Sequence, residues 1–546
     1  MNRFTTMLQS VRKCFSNAVL LNCTLSVATA VLLFLAFPKI DLFYLAWIAF
    51  LPLLYVALSS RPLAAFGYGM LAGVLAHIGI LYWMFVTISF HTKSVAQGIF
   101  SLIFIALYVG FYTTGLWCLL LSLAKNSLPP LLLALLAAAF WASMDYLRAH
   151  VLTGFPWGLL GYSQWKFLPF IQIAEFTGIY GISFSIIFFN VTLFQSIKAR
   201  RLFPFLGTLI VFLGLIAGGY GLMKRDFLPT GEPFTVAALQ GNIDQEKKWN
   251  PDFQYDIQET FSKLILEAAS HGPDLMVWPE TAVPGYLPHD ERLSLWVSDL
   301  ARKTGTYHLI GAPYHNPKES SKYYNSSFLV SPDGTVMGWH RKVHLIPFGE
   351  FAPLRVLFPK LTMLNALGQF TPGLTPTVLP FPVSRRSTPA LAGTPSGKDM
   401  KDTVMIHVGP TICSENLYGH IVRGFPSRGA DILISQTNDA WFFLTSAPYQ
   451  HFTMNVFRAI ENRRMVLASG NTGITGVVEP TGRVRETIPL CATQYLITTL
   501  QPYKGITFYT TWGDVFAWLC LFCTFVITAL FVRKWRAGRV ILKGRK

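Results

Sequence analysis

Apolar residues dominate the first 223 positions in long runs with short polar breaks. The pattern then changes to short apolar runs interleaved with polar stretches, and one last long apolar run precedes the C-terminus. A helix needs roughly 20 apolar residues to cross a bilayer, so the pattern predicts about eight spans. They fall at 18–37, 42–58, 63–90, 96–124, 129–147, 168–196, 202–223 and 509–532. The first follows Arg3, Arg12 and Lys13 as a signal peptide would, but it is too long for the usual apolar core and a second span follows closely. It therefore reads as an uncleaved helix.

The middle block has a different period. FTVAALQGN reads as an opening strand, and FQYDIQETFSKLILEAASHG carries apolar residues at helical spacing and stops at Gly. DLMVWPETAVP is a strand running into a Pro-rich turn, YHLIGAPY is another strand, and SSFLVSPDGTVMGWHRKVHLI is a pair around a PDG turn. VMIHVGPTIC and DILISQTNDAW are apolar strands, HFTMNVFRAIENRRMVLA is a helix, and GVVEPTGRVRET is a last hairpin. Strands and helices so mixed predict a layered α/β domain. The chain thus divides into a membrane domain at 1–223, an α/β domain at 224–508, and a final span with a basic tail at 509–546.

Charge orients this arrangement. Of 546 residues only 13% are charged, and the formal net charge is +17. In a soluble protein that excess would suggest nucleic acid. Here Arg61, Lys125, Lys198, Arg200, Arg201 and the tail RKWRAGRVILKGRK flank apolar spans on one side. The positive-inside rule makes that side cytoplasmic, which places 224–508 outside the cytoplasm and argues against a nucleic-acid partner. Asp145 and Glu175 are the main acidic residues in or near spans, with Arg148 and Lys166 as nearby cations, and no transporter-like charge pair stands out. The loop GFPWGLLGYSQW, 154–165, reads as an interfacial anchor or as part of a lipid pocket. The seven cysteines make neither a disulfide framework nor a zinc pattern, and Cys520 and Cys523 read as packing residues.

Three polar residues each close a strand: Glu280 after LMVWP, Lys342 after VMGWHR and Cys413 after VGPTI. Singly, each has an ordinary reading as a turn, surface or core residue. Together they make chemistry. A thiol attacks a carbonyl as thiolate, a carboxylate can take its proton, and an ammonium stabilises both the thiolate and the oxyanion that follows. The backbone NH of Ser414 is a natural second oxyanion donor. A Cys–His pairing with His407, His420 or His451 stays open on residue types alone.

WPE, HRKVHLIPFGE and a strand ending in Cys resemble the Glu–Lys–Cys pattern of the nitrilase superfamily of carbon–nitrogen hydrolases. With membrane spans on both sides, and with TGFPWGLLGYSQ, WPETAVP, HLIPFGEFAP, TPG and QTNDAWF, nearly the whole chain resembles the apolipoprotein N-acyltransferases. The resemblance implies a helical membrane bundle of about eight spans plus an extracytoplasmic nitrilase-like αββα sandwich. It implies Glu280 as general base, Lys342 as oxyanion stabiliser and Cys413 as nucleophile, with Glu350 and Glu415 in support. Trp278, Asn438, Trp441, Phe442 and Trp157 are its candidates for substrate contact. Ser414 stands where an aromatic is usual and Phe443 where a small residue is usual, and both bear on lipid preference.

The implied reaction passes an acyl chain from a membrane phospholipid, through a Cys413 thioester, to the α-amine of an S-diacylglyceryl cysteine on an apolipoprotein. No metal and no cofactor is implied. The implied setting is a monomer in the bacterial inner membrane with its catalytic domain on the periplasmic side. Residues 351–370 read as a lid that dips into the interface or as a buried helical connector, and 441–449 as a second lid candidate. A membrane-anchored amidase with the same three residues is the alternative enzyme, and a transporter or receptor the non-enzymatic one.

Overall fold

The computed structural model describes residues 2–225, 227, 229, 231–315, 322–347, 349–351, 370–384 and 403–543. It divides into two compact units, Met1–Gly221 with Asp514–Lys546, and Leu222–Gly513.

In the first unit, six helices among the described residues are long and apolar enough to cross a membrane. They are Asn17–Ala36, Pro62–Ile80, Val95–Ala124, Pro130–Thr153, Ala174–Ala199 and Phe205–Met223. The expected spans at 42–58 and 509–532 correspond to shorter apolar segments, Phe43–Ser59 and Val515–Leu530. The expected span 63–90 is two helices, Pro62–Ile80 and Trp83–Thr92, with a break at Leu81 and Tyr82. Prolines at the first turn, Pro62 and Pro130, start helices where a missing NH costs nothing. Large apolar side chains such as Phe100, Ile210 and Phe525 lie on the outside of the bundle. Water would penalise that surface and lipid does not.

Several polar groups inside this unit find partners. Arg148 lies 3.8 Å from Asp145, one turn away and equally buried, so the two residues noted in the sequence do form an ion pair inside this unit. Lys166 pairs with Asp41 at 3.0 Å. The 154–165 loop is not an exposed anchor, because residues 156–164 are buried. Its backbone needs internal partners, and Ser183 Oγ accepts from the Gly161 NH at 3.0 Å. The Gln164 amide accepts from Trp47 Nε1 and donates to the Phe43 carbonyl, both at 2.9 Å. Of the two cysteines on the last helix, Cys520 is buried and Cys523 is exposed on the helix surface.

The second unit is built on strands β1 Phe234–Gln240, β2 Leu275–Val277, β3 Tyr307–His315, β4 Tyr323–Val330, β5 Val336–Arg341, β6 Leu379–Ser384, β7 Thr403–Ile412, β8 Ile432–Thr437, β9 Val466–Gly470, β10 Thr475–Val478, β11 Val484–Ile488 and β12 Gln494–Leu500. They form two six-stranded sheets, in the orders β12-β1-β2-β3-β4-β5 and β11-β10-β9-β8-β7-β6. The inner pairs β1–β2, β2–β3, β7–β8 and β8–β9 are parallel, and the outer pairs are antiparallel.

Alternation explains the layers. On β1, Val236 and Ala238 face the second sheet with Leu275, Val277, Val408 and Ile434, while Ala237 and Leu239 face the helices. Helices Gln254–Ala269 and Glu291–Thr304 cover that outer face through Ile257, Phe261, Ile265, Leu293, Val297 and Leu300. Helix Ala447–Asn462 packs on β9 of the other sheet. Strands buried on both faces read as unbroken apolar runs, which is why these segments stand out in the sequence. The layers are those of an αββα sandwich.

Candidate active site

Cys413 follows the last ladder residue of β7 and takes a left-handed conformation, φ +50°. That region is uncommon for a residue with a Cβ, so the surroundings must hold it. Glu415 does part of this work. Its Oε2 accepts from the Ile412 NH at 2.8 Å and lies 3.2 Å from His340 Nε2, and its Oε1 accepts from the Val343 NH at 2.6 Å. One buried carboxylate thereby ties the end of β7, in one sheet, to the end of β5, in the other. Burial opposes its ionisation, but His340 and the two backbone NH groups keep its pKa below the ordinary value.

Glu280 sits in the turn after β2, followed by Thr281 at φ +47°. Lys342 comes directly after β5, fully buried, with its NH on the Asn325 carbonyl at 2.8 Å. Its Nζ lies 2.8 Å from Glu350 Oε1 and 3.7 Å from Glu280 Oε1. Asn325 Nδ2, on β4, donates to Glu280 Oε1 at 2.8 Å and to Glu350 Oε1 at 3.2 Å. Glu350 Oε2 accepts from the Ile346 NH at 2.8 Å.

The electrostatics follow from this crowding. Burial alone would pull the Lys342 ammonium down, but Glu350, Cys413 and Glu280 outweigh it and hold its pKa above the ordinary lysine value. Burial pushes the Cys413 thiol well up, Glu280 adds to that, and Lys342 opposes both. The resting site therefore holds a protonated thiol beside a cation and two carboxylates.

A second lysine approaches the same turn. Lys248 Nζ is buried and donates to the Glu280 carbonyl at 3.2 Å and the Thr281 hydroxyl at 3.0 Å. Its partners are neutral, so burial dominates and its pKa falls to about 7, although Glu280 and Cys413 pull the other way.

The family models and the curated relatives agree with one another. Residues 29–192 match the pattern described as apolipoprotein N-acyltransferase N-terminal domain, and residues 235–504 match carbon–nitrogen hydrolase. The apolipoprotein N-acyltransferase of Geobacter metallireducens is 37% identical over 93% of this chain and 95% of its own length. The chain belongs to the apolipoprotein N-acyltransferase family. The Azotobacter vinelandii apolipoprotein N-acyltransferase is 31% identical over 89% of this chain and 91% of its own. Among solved structures, the amidase from Nesterenkonia sp. is 18% identical, with a TM-score of 0.35 over 50% of this chain and 93% of its own. Saccharomyces cerevisiae Nit3, of the nitrilase superfamily, gives 19% and 0.37 over 50% and 91%.

In this N-acyltransferase family member, buried Glu280, Lys342, Cys413 and Glu415 and half-buried Glu350 come from three regions of the chain to the facing ends of the two sheets. The Ser414 hydroxyl is buried beside them without a hydrogen-bond partner among the described residues. Asn438 is tied to Gln245 at 2.7 Å and Asn471 at 2.9 Å, which makes it a brace between turns. Trp441 is exposed and Phe442 half-buried in the turn after β8.

One substrate-contact expectation does not fit. Trp278 continues the alternation of Met276 on β2, so it faces the covering helices, stacks on Phe261 at 5.6 Å and bonds His308 at 3.0 Å. It is a core residue. Trp157 belongs to the membrane unit, buried against Trp83 at 4.7 Å. The lid expected at 351–370 lies outside the described residues except at its two ends.

The three histidines open for a Cys–His pairing sit in different settings. His407 is held by Asp431 at 3.1 Å and His420 is exposed. His451 Nε2 lies 3.3 Å from the Cys413 carbonyl oxygen. Lys248 and Asn325 escaped the sequence reading: QEKKW looks like a solvated turn, and NSSFLV like an ordinary strand.

Proposed function

We propose that this chain moves an acyl chain from a membrane phospholipid to the α-amino group of the S-diacylglyceryl cysteine of an apolipoprotein, through a thioester on Cys413. The observation that carries this reading is the meeting of Cys413, Lys342 and Glu280 from the ends of three strands in two sheets, in a chain of this family. The names of its relatives supply the acceptor class.

The steps follow from the charges. Glu280 takes the thiol proton as Sγ attacks the ester carbonyl of the phospholipid. The Lys342 ammonium faces the developing oxyanion, with the Ser414 NH as second donor. Collapse breaks the ester bond, and Glu280 returns the proton to the leaving lysophospholipid oxygen. The free α-amine then attacks the thioester and gives a proton to Glu280. Collapse breaks the C–S bond, an amide remains on the lipoprotein, and the proton goes back to Cys413. Glu350 and Asn325 hold Lys342 and Glu280 in place through both halves.

The basic residues after the spans and in the tail favour an orientation with 224–508 on the periplasmic side of the bacterial inner membrane. The leaflet facing the periplasm would then supply the donor, and exported apolipoproteins the acceptor.

Intact-mass measurement of the purified protein with phospholipid tests this directly. A fatty-acyl adduct should form on Cys413, disappear on adding a diacylglyceryl-cysteine peptide, and reappear as an amide on that peptide. Cys413→Ala should form no adduct, while Cys491→Ala should behave as wild type. Discharge to water at the same rate with and without the peptide would favour an amidase instead.

A further inference from the structure

His451 lies between two oxygen atoms. Its Nδ1 is 2.8 Å from Asp439 Oδ1, and its Nε2 is 3.3 Å from the carbonyl oxygen of Cys413. Both side chains are buried. A carbonyl only accepts, and so does an ionised carboxylate, so this ring meets both partners by carrying a proton on each nitrogen. Burial works against that cation, and Asp439 together with the Cys413 carbonyl and Glu280 more than offsets it.

The contact falls where the fold needs one. The β7–β8 ladder ends at Ile412 paired with Gln436, so the Cys413 carbonyl lies beyond it. Cys413 is also the residue forced into the left-handed region. Glu415 fastens the NH of Ile412 before it, and His451 reaches the carbonyl of Cys413 itself. Asp439 starts the turn after β8, and His451 sits in helix Ala447–Asn462, so two separate elements converge on this carbonyl. Gly473 lets Asp439 approach, since a Cβ there would stand 2.3 Å from its Oδ2.

We infer that Asp439 and His451 are positioning residues for the nucleophile: His451 Nε2–H holds the Cys413 carbonyl, and Asp439 orients the ring. This pair lies outside the Glu–Lys–Cys set and rests on Cys413 being the acylated residue. The charged groups facing the thiol from the other elements are Glu280, Lys342, Glu350 and Lys248, and Glu280 also acts on the ring.

Two conservative variants separate the two ring contacts in the full-length protein. A glutamine amide nitrogen falls near the place of Nε2, and an asparagine amide nitrogen near that of Nδ1. His451→Gln should keep the donor to Cys413, and His451→Asn should keep only the link to Asp439. Asp439→Asn leaves a neutral ring that still donates from Nε2. Two rates are read for each variant: single-turnover thioester formation with phospholipid, and alkylation of Cys413 by iodoacetamide. Misplacing a reacting atom by about 1 Å can cost on the order of 100-fold, and that loss is expected in both rates for His451→Asn. His451→Gln and Asp439→Asn should stay within about tenfold of wild type, a partial loss of the same positioning effect. All three variants should share one thermal midpoint. Equal loss in the Asn and Gln variants, or wild-type rates in His451→Asn, would overturn the positioning role. Absence of an acyl adduct in wild type, with the alkylation split intact, would instead overturn the acyl-transfer reading and leave this one standing.

Discussion

Lys342 Nζ lies 2.8 Å from Glu350 Oε1, almost an ångström closer than its 3.7 Å approach to Glu280. The short ion pair belongs to the carboxylate that does no proton transfer in the proposed cycle. Glu350 holds the ammonium back, so Glu280 keeps an oxygen free to accept a proton.

Replacing these two acids should therefore have unequal effects. Glu280→Gln removes the base, and general-base catalysis is worth about 10² to 10⁴-fold. Burial still raises the Cys413 thiol once the Glu280 charge is removed, so the variant thiol needs alkali to ionise unaided, and acylation should recover partly as pH rises from 6 to 9. Glu350→Gln should cost less and show no such recovery, since its base is intact. Single-turnover acylation across that pH range checks both, and matching profiles would dissolve the division of labour.

Lys342→Met should impair acylation and thioester discharge alike, at every pH. Removing one preorganised oxyanion donor costs about 10² to 10³-fold. Arginine should rescue poorly, because a planar fork does not fit a site built for a compact ammonium. A Lys342→Met protein with undiminished acylation would leave Cys413 without its proposed electrophilic partner.

Lys248 should leave a mark on stability. Its folded pKa of about 7 lies below the ordinary lysine value, so between the two the unfolded chain binds the extra proton. Stability contributed by this group therefore rises with pH from 7 to about 10, by up to about 1.4 kcal/mol per pH unit, and the penalty of burying the cation is full below pH 7. Lys248→Met should flatten that rise. Thermal midpoints of both proteins in one detergent, from pH 6 to 10, decide it, and parallel curves would mean Lys248 is not buried as a titrating group.

The orientation makes its own prediction. A reporter active only outside the cytoplasm should work when inserted near residue 320 and stay silent when fused after residue 546, since Lys and Arg cluster on the other side of the spans. Activity from the tail fusion alone would invert the protein and with it the proposed substrates.

Much of this was legible from residue order. Apolar runs near 20 residues long mark the helices because lipid leaves no other partner for the backbone. Strands buried on both faces give the unbroken runs of β1, β2, β3, β7 and β8. Glu280, Lys342 and Cys413 stand out because each is polar at the point where such a run stops. What the order of residues leaves open is which strand ends meet. Only the stacking of the two sheets brings Glu415 from β7 to Val343 beyond β5, and only the order of strands and helices within each layer brings Asn325 to both glutamates and the His451 ring to the Cys413 carbonyl. Trp278 turns away because it follows Met276 onto the helix-covered face, whereas Glu280 lies in the turn beyond the strand, where alternation no longer applies. Lys248 looks like a solvated lysine beside Lys247 until the turn after β2 closes over it. Periodicity is a local property of the chain and can be read along it; a hydrogen bond between residues hundreds of positions apart exists only once the packing has chosen its partners.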